Sequence, residues 1–334
     1  MKILVTGGTG FIGSHTAVEL ISQGHEIIII DNLSNSKLSV ISKIEKITGS
    51  SIAFNEVDLL DKRKLNKIFS ENNFQAVIHF AGLKSVDESR ISPLDYYSNN
   101  FNSALNLLEI MDQNNVKKII FSSSATVYGD NKQTPIKEDS ALSPINPYGR
   151  SKMFIEDLLR DIYISDNHWK INILRYFNPI GAHHSGLIGE NPKNQNGNLM
   201  HLICQCALKT IPVLNIFGNN YPTSDGTGVR DYIHIDDLAK GHVASLEILN
   251  KSSNHDGFNI FNLGTGNGTS VLELIYAFEK INGIKINYEF SEKRIGDIAI
   301  SCADVSKVKR VLKWQAEKDI YDMCRDIWNY QTLN

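Results

Sequence analysis

The apolar residues in the first half of the chain fall into short continuous runs that are separated by longer amphipathic stretches. The runs lie at residues 2–6, 26–30, 76–80, 118–122 and 171–175. Continuous apolar runs are typical of strands that are buried on both faces of a parallel sheet. The stretches between them include the helix-like segments 12–23, 94–113 and 147–162. Strands that alternate with helices in this way predict an α/β fold with a doubly wound parallel sheet.

The pattern changes after about residue 178. Residues 181–198 are rich in Gly, Asn, His and Pro, which is typical of a long functional loop. A helical pattern (199–209), a strand-like run (211–217) and a turn-rich segment (222–228) follow. We therefore expect a first domain at residues 1–177 and a smaller C-terminal α/β lobe at residues 178–334, late segments of which can return to the first domain. The cleft is expected at the carboxyl edge of the sheet.

The composition excludes several classes of function. The 334 residues are 42% apolar and 21% charged with a formal charge of −3, so the chain has a sizeable core and no basic surface for nucleic acid or membranes. No apolar stretch approaches the ~18 residues of a membrane span, and the N-terminus lacks the apolar region of a signal peptide, so we expect a cytoplasmic protein. The four cysteines are too few and too irregular for a disulfide scaffold and accompany no ligand cluster. We therefore predict a reducing compartment and no metal site.

A glycine-rich turn follows the first apolar run. Gly7, Gly10 and Gly13 lie in T-G-G-T-G-F-I-G, between the first predicted strand and the first predicted helix. A dinucleotide needs such a turn, because its pyrophosphate must approach the backbone closely and meet the N–H groups of a helix N-terminus. Asp31 ends the second predicted strand, where a carboxylate accepts the ribose 2′-hydroxyl and repels a 2′-phosphate. The sequence thus predicts a Rossmann-type domain that binds NAD rather than NADP, with Asp58 placed to meet the adenine.

Tyr148 and Lys152 are one helical turn apart in a segment that Pro147 would start well. Such a pair is either ordinary surface decoration or an activated phenol. A free tyrosine has a pKa near ~10, and lowering it by ~3 units requires about 4 kcal/mol in favour of the phenolate. Two unit charges ~4 Å apart at an effective dielectric constant near ~20 interact by about this amount. Lys152 together with a positive nicotinamide ring would therefore make Tyr148 a base near neutral pH.

Longer motifs accompany these residues. They are H-F-A-G-L-K (79–84), S-S-S-A-T-V-Y-G (122–129), L-R-Y-F-N-P-I-G-A (174–182), the stretch 216–234 and N-L-G-T-G (262–266). With the glycine turn and the Tyr-x-x-x-Lys pair, they resemble the extended short-chain dehydrogenase/reductase family, and within it the UDP-glucose 4-epimerases across nearly the whole chain. The resemblance implies an NAD-binding first domain, a UDP-sugar-binding second lobe, and inversion at C4 through a 4-keto sugar. It also implies a homodimer formed through the predicted helices 94–113 and 147–162.

The resemblance further implies roles for individual residues. Tyr148 takes the proton of the sugar hydroxyl, Ser124 helps to relay it, and Lys152 also holds the nicotinamide ribose. Arg230 and Arg294 are candidates for gripping the diphosphate, because a guanidinium matches phosphate oxygens. The positions that match cofactor contacts are Gly7, Gly10, Phe11, Ile12, Gly13, Asp31, Asn32, Asn35, Asp58, Leu59, Phe80, Ala81, Gly82, Lys84, Asn99, Ser122, Tyr148, Lys152, Tyr176 and Phe177. The positions that match the UDP-sugar site are Lys84, Ser124, Tyr148, Asn178, Asn198, Leu199, Asn215, Phe217, Arg230, Tyr232, Arg294, Asp297 and Ser301.

Three positions bear on which sugar-nucleotide reaction is catalysed. Related dehydratases carry an Asp-Glu pair just after the central serine or threonine, where this chain has Ala125 and Thr126, neither of them an acid or a base at pH 7. Ser301 aligns with a bulky tyrosine of hexose-restricted epimerases, so we hypothesise that UDP-GlcNAc and UDP-GalNAc are accepted alongside UDP-glucose and UDP-galactose. The alternatives are a strict UDP-glucose/UDP-galactose 4-epimerase, a sugar-nucleotide dehydratase or decarboxylase, and a protein that senses NAD or acts as a scaffold without catalysis.

Overall fold

The computed structural model describes residues 1–131, 133–191, 198–251, 257–294 and 296–334. Its strands are β1 (Lys2–Thr6), β2 (Glu26–Asp31), β3 (Ala53–Glu56), β4 (Ala76–His79), β5 (Lys118–Ser124), β6 (Lys170–Tyr176), β7 (Asn178–Ile180), β8 (Leu214–Phe217), β9 (Val229–His234), β10 (Phe258–Leu263), β11 (Gly268–Ser270), β12 (Tyr288–Ser291) and β13 (Ile300–Ser301). Its α-helices are α1 (Phe11–Ser22), α2 (Ser39–Thr48), α3 (Lys62–Ser70), α4 (Val86–Ile91), α5 (Pro93–Tyr96), α6 (Asn102–Gln113), α7 (Pro147–Ser165), α8 (Leu199–Ala207), α9 (Ile235–Asn250), α10 (Val271–Asn282), α11 (Ser306–Leu312) and α12 (Ile320–Leu333). Among the described residues, no helix combines the length and the apolar composition that crossing a bilayer requires.

A seven-stranded parallel sheet forms the centre of the molecule, with the strand order β10-β6-β5-β4-β1-β2-β3. The five apolar runs of the sequence coincide with β1, β2, β4, β5 and β6. The apolar side chains of these strands are almost completely buried, because helices cover both faces of the sheet. This arrangement confirms the predicted doubly wound α/β fold. β1 lies between β2 and β4, so the connections diverge there and open a crevice at the carboxyl ends of the strands.

The residues after β6 build a smaller lobe around short sheets. In one of them β9 is the central strand, with β11, β13 and β7 paired to it, while β12 and β8 form a separate parallel pair. Apolar side chains of α8, α10 and α12 pack together as the core of this lobe. β10 nevertheless pairs with β6 at the edge of the central sheet, so the chain returns to the first domain. The domain boundary at residue 177 stays a prediction.

The segment 94–113, predicted as one helix, is interrupted. A π-helical turn at Tyr97–Phe101 separates α5 from α6. The extra residue of a π-turn changes the direction of the side chains around it, and Asn100 points into the protein. Its side chain accepts from the Leu83 N–H at 2.7 Å and donates to the Leu83 carbonyl oxygen at 3.0 Å and to Ser151 Oγ at 3.1 Å. The interruption therefore fastens the loop after β4 to α7.

Candidate active site

The turn between β1 and α1 forms a cradle for an anion. Gly7 has a φ of +69°, and its N–H donates to the Ile30 carbonyl oxygen at 2.8 Å. A Cβ at Gly13 would lie 2.3 Å from the Gly7 carbonyl oxygen, and a Cβ at Gly7 would lie 2.7 Å from the Ala81 nitrogen, so only glycine fits. Gly10 is the N-cap of α1 and makes no side-chain bond to the first turn, whose N–H groups therefore face outward. The turn fits the pyrophosphate of NAD.

Two carboxylates lie next to this cradle. Asp31, at the end of β2, accepts from the N–H of Leu33 at 2.9 Å and from that of Thr9 at 3.2 Å. Asp58 follows β3 and accepts from Asn32 Nδ2 at 2.9 Å. Asp31 Oδ1 also accepts from Ser36 Oγ at 3.1 Å, which occupies both of its lone pairs. These bonds fix the orientation of both carboxylates, and Asp31 Oδ2 and the Asp58 oxygens each retain a lone pair for a ribose or adenine donor. The residues therefore fit the predicted preference for NAD over NADP.

Lys152 is buried beside the carboxyl end of β5. Only 4% of its surface is exposed, and its Nζ donates to the Ser122 carbonyl oxygen at 2.8 Å. Burial lowers the pKa of Lys152 to about 8, and the Glu156 carboxylate one turn further along α7 opposes part of this effect. The ammonium therefore remains charged at pH 7, and it lies 5.9 Å from the centroid of the Tyr148 ring.

Tyr148 opens α7 next to Ser124. The helix begins here because the Asn146 side chain caps it by accepting from the Gly149 N–H at 2.8 Å. Pro147 occupies the first turn, where the fixed φ of proline matches that of a helix. Burial raises the pKa of Tyr148, and a hydrogen bond from Ser124 opposes the rise only in part. From the sequence, Lys152 and a positive nicotinamide ring are together expected to lower the pKa of Tyr148. The net effect of the protein on the pKa of this phenol is a rise.

Tyr176, at the end of β6, is held by His242 of α9. His242 Nδ1 lies 2.8 Å from the Leu238 carbonyl oxygen and must donate to it, which leaves Nε2 to accept the Tyr176 hydroxyl proton. Burial lowers the pKa of His242 to about 4, so this imidazole stays neutral. Burial also raises the pKa of Tyr176, while a hydrogen bond from Ser122 opposes the rise. Tyr176 is therefore a fixed neutral phenol, linked through Ser122 to Lys152.

Four predicted substrate residues share the sheet around β9. Asn178 on β7 is paired with Tyr232, and Ser301 on β13 is paired with Arg230. Tyr232 and Ser301 are buried, whereas Asn178 and Arg230 are half-buried. This sheet brings together residues that are up to 123 positions apart in sequence, from 178 to 301.

Three further predicted residues meet at the edge of the smaller lobe. Arg294 Nε donates to the Asp297 carboxylate at 2.9 Å, and its guanidinium lies 4.9 Å from the centroid of the Phe217 ring. Phe217 is 38% exposed, which leaves its other ring face available to a flat ligand. Asn215 lies two residues earlier on β8, so its exposed side chain shares that face.

Lys84 and Asn198 are joined by a residue that the sequence did not mark. Glu190 accepts from Lys84 Nζ at 2.6 Å and from Asn198 Nδ2. Asn198 Oδ1 also accepts from the His201 N–H at 3.0 Å and so caps α8. The remaining predicted positions lie at the following places in the fold: Phe11 and Ile12 begin α1, Asn35 lies in the exposed loop after β2, Leu59 follows Asp58, Phe80, Ala81 and Gly82 follow β4, Asn99 lies in the π-turn, Phe177 follows β6 and Leu199 begins α8.

The structure thus adds Asn100, Glu190 and His242 to the residues around the site. Each contacts a group at least 8 positions away in sequence, and Glu190 and His242 reach partners 106 and 66 positions away. No local motif marks such residues, because their roles arise from the sheet topology. A pattern of spacing could not have identified them.

A buried group outside the cleft has the composition of a metal site. Ligand atoms of His234, Asp236 and Asp326 lie within 4.8 Å of one another. Lys318 Nζ, however, lies 3.0 Å from the Asp236 carboxylate and 2.9 Å from that of Asp326. The lysine supplies the positive charge that these carboxylates need, so the group is an internal ion-pair cluster that ties α12 to α9.

Comparisons with known proteins place this geometry in context. The sequence pattern of the NAD dependent epimerase/dehydratase family matches residues 3–264. The chain is 52% identical over 334 residues to a UDP-glucose 4-epimerase of Bacillus subtilis (strain 168), covering 100% of this chain and 98% of the relative. A crystal structure of UDP-glucose-4-epimerase from Stenotrophomonas maltophila with bound NAD and formylated UDP-arabinopyranose superposes with a TM-score of 0.97 at 46% identity, covering 100% of this chain and 98% of that one. UDP-glucose 4-epimerase from Bifidobacterium longum, in complex with NAD+ and UDP, gives a TM-score of 0.95 at 48% identity, covering 100% and 99%.

Proposed function

The chain belongs to the NAD dependent epimerase/dehydratase family, and from this premise we propose that it interconverts UDP-glucose and UDP-galactose by inverting C4 of the hexose. The observation that carries the proposal is the cluster of Ser124, Tyr148 and Lys152 beside the Gly7–Gly13 cradle. The named relatives support the unacetylated sugar pair as the first substrates. When bound, NAD supplies a hydride acceptor and donor for the sugar carbon.

The chain's own residues control the accompanying proton. Tyr148 is the base for the sugar 4-hydroxyl. Ser124 Oγ accepts from the N–H and the hydroxyl of Thr126, so its own hydroxyl donates to the phenol and is placed to help relay the sugar proton. The Lys152 ammonium lies 5.9 Å from the centroid of the Tyr148 ring, and burial raises the pKa of this phenol in the protein alone. With oxidised NAD bound, the positive nicotinamide would add to the charge of Lys152, and Tyr148 would then accept the sugar proton as a phenolate.

Residues of the smaller lobe are proposed to anchor the UDP moiety. Arg230 on β9 and Arg294 near Phe217 provide the guanidinium groups that suit a diphosphate. An anchor that holds only the nucleotide would leave the sugar free to turn about its diphosphate link, so either face of C4 could be presented to the cofactor. Ala125 and Thr126 offer no acid–base pair for eliminating water, which disfavours a dehydratase.

The direct test is proton NMR of the purified protein with UDP-glucose, without added reductant. The proposal expects the anomeric signals to reach a UDP-glucose/UDP-galactose mixture. A stable 4-keto-6-deoxy sugar or released carbon dioxide would instead support the dehydratase or decarboxylase alternative. Cofactor that copurifies without any sugar turnover would support the sensor alternative.

A second candidate activity is the same inversion on UDP-GlcNAc and UDP-GalNAc. The observation that favours it is the small Ser301 side chain, which lies opposite Arg230 in the sheet. A hydroxymethyl group leaves room for an N-acetyl group that a phenol ring at this position would fill. The test is Ser301→Tyr, which is expected to abolish turnover of the acetylated pair and to spare the plain pair. Equal turnover of the acetylated pair in both proteins would refute the role of Ser301.

We also propose a homodimer formed through α5, α6 and α7. The groove between these helices is lined by Leu94, Phe101, Phe154 and Leu158, and Leu94 is 80% and Phe154 43% exposed. Exposed apolar groups of this size are typical of an interface. Phe154→Asp is expected to shift the sedimenting species to monomer, whereas Tyr276→Asp on α10, an aromatic residue that is 59% exposed, should not. A wild-type monomer at micromolar concentration would contradict the proposal.

A further inference from the structure

Glu190 connects the two halves of the site. One of its carboxylate oxygens accepts from Lys84 Nζ at 2.6 Å, and the other accepts from Asn198 Nδ2. Lys84 follows β4 of the central sheet, whereas Asn198 precedes α8 of the smaller lobe. A single side chain therefore links a predicted cofactor and sugar contact to a predicted UDP contact.

The backbone holds Glu190 in place independently of these two partners. Ala182 and Gly189 form a β-bridge that closes the loop before Glu190, and the His183 N–H donates to the Ile188 carbonyl oxygen at 3.1 Å. Gly189 packs so closely on α12 that a Cβ at this position would lie 2.6 Å from the ring of Tyr330. Glu190 itself is only 8% exposed. A buried carboxylate is costly unless it is paired, so its two partners stabilise it where it stands.

The two partners differ in how much they depend on Glu190. Asn198 is also fixed by the N-cap bond to the His201 N–H at 3.0 Å, so it keeps its place without the carboxylate. The side chain of Lys84 is 52% exposed, and a lysine ammonium on a flexible stem has many rotamers to choose from. Glu190 therefore restricts Lys84 more than it restricts Asn198.

We propose that Glu190 is a positioning residue for epimerisation and that it acts through Lys84. This inference rests on the proposed function. Fixing the Lys84 ammonium before the sugar arrives removes an ordering step from the turnover of bound substrate, so the effect falls on kcat. The predicted UDP contact Asn198 keeps its place through its N-cap bond, so the KM for UDP-glucose changes little.

The test is a double-mutant cycle on the purified protein with its bound NAD. Glu190→Gln keeps the size of the side chain and removes the charge that orders Lys84. It is expected to lower kcat about tenfold and to change KM less than about twofold. Lys84→Met is expected to lower kcat at least as much, and the double variant should equal Lys84→Met, because residues that act as one unit are not additive.

A matched control is available at a distance from the cleft. Glu279 also accepts from a lysine at 2.6 Å, that of Lys285, and from one backbone N–H, that of Ile286, at 2.9 Å. Its side chain is 13% exposed, against 11% for Glu190. Glu279→Gln therefore removes the same kind of bond and should leave both kcat and KM unchanged.

Each outcome decides the question. An inactive wild-type protein would overturn the proposed function and this inference with it. If the wild type is active, two results overturn this inference and leave the proposed function standing. One is that Glu190→Gln has the same kcat and KM as Glu279→Gln. The other is that Glu190→Gln lowers kcat by the same factor in the Lys84→Met background as in the wild type. Should Glu190→Gln fail to fold, Glu190→Asp replaces it in the cycle. That carboxylate is one carbon shorter, so a loss of about threefold is expected, and it must again vanish when Lys84 is absent.

Discussion

The buried Lys152 ammonium should make the stability of the protein depend on pH in an unusual direction. Burial lowers the pKa of Lys152 from 10.5 to about 8, so the unfolded chain retains its proton at pH values at which the folded protein has released it. Each pKa unit corresponds to about 1.4 kcal/mol, so the charged group costs the folded state about 3 kcal/mol at pH 7. Because the folded pKa is the lower one, stability should rise with pH between about 8 and 10.5.

Replacing Lys152 by methionine isolates this effect. The variant has no titrating group at this position, but its loss leaves the Ser122 carbonyl oxygen without that donor, at a cost of about 1–2 kcal/mol. We expect Lys152→Met to be more stable than wild type by about 1 kcal/mol at pH 7.5. Between pH 7.5 and 9.5 the wild type should then gain about 2 kcal/mol relative to the variant.

The assay is urea unfolding, followed by tryptophan fluorescence, at both pH values on protein freed of dinucleotide. Lys285→Met is the control, because Glu279 raises the pKa of that exposed lysine and the same step in pH should bring no relative gain. A buried charge at Lys152 is refuted if the stability difference between Lys152→Met and wild type changes by less than about 0.5 kcal/mol between the two pH values, or if it changes in the opposite direction.

Three further variants test the site and its support. Tyr148→Phe should lower turnover by about 10²–10⁴ with UDP binding unchanged, and activity within tenfold of wild type by NMR would contradict its role as the base. Gly13→Ala places a Cβ 2.3 Å from the Gly7 carbonyl oxygen, so the purified protein should lose its NAD, and a stoichiometric amount of released NAD on chromatography would count against the cradle. Arg175→Met leaves the buried Glu156 carboxylate without its cation and should cost about 3–5 kcal/mol in urea unfolding, whereas a loss below about 1 kcal/mol would show that the pair is dispensable.

Much of the fold and of the reacting groups could be predicted from local sequence signals. Buried parallel strands produce continuous apolar runs, and the tight approach at Gly7 and Gly13 admits no side chain, so both features leave a direct mark on the sequence. The Tyr148–Lys152 spacing reflects one turn of a helix, which the structure contains. These signals all concern neighbours along the chain.

The supports of the site could not be predicted in this way. Glu190 reaches Lys84 across 106 positions, and His242 reaches Tyr176 across 66. Such partners are chosen by topology, so a charged or aromatic residue that holds a catalytic group looks like any other in the sequence. The pKa of Tyr148 could not be predicted for the same reason. The sequence shows the helical spacing between Tyr148 and Lys152, but it does not show the burial that raises the pKa of the phenol.

The geometry of Tyr148 and Lys152 depends on an ion pair that does not touch either of them. Arg175 on β6 pairs with Glu156 on α7 at 2.6 Å, and both side chains are almost fully buried. Glu156 lies one helical turn from Lys152, so this pair clamps the helix about 6 Å along its axis from the lysine and about 12 Å from Tyr148. A rigid helix transmits that position to both reacting groups. A buried ion pair adds little net stability compared with apolar packing, so its consequence here is the fixed direction of α7 against β5 and β6. Conservative repacking of the pair with apolar residues should therefore spare folding and still disturb proton transfer.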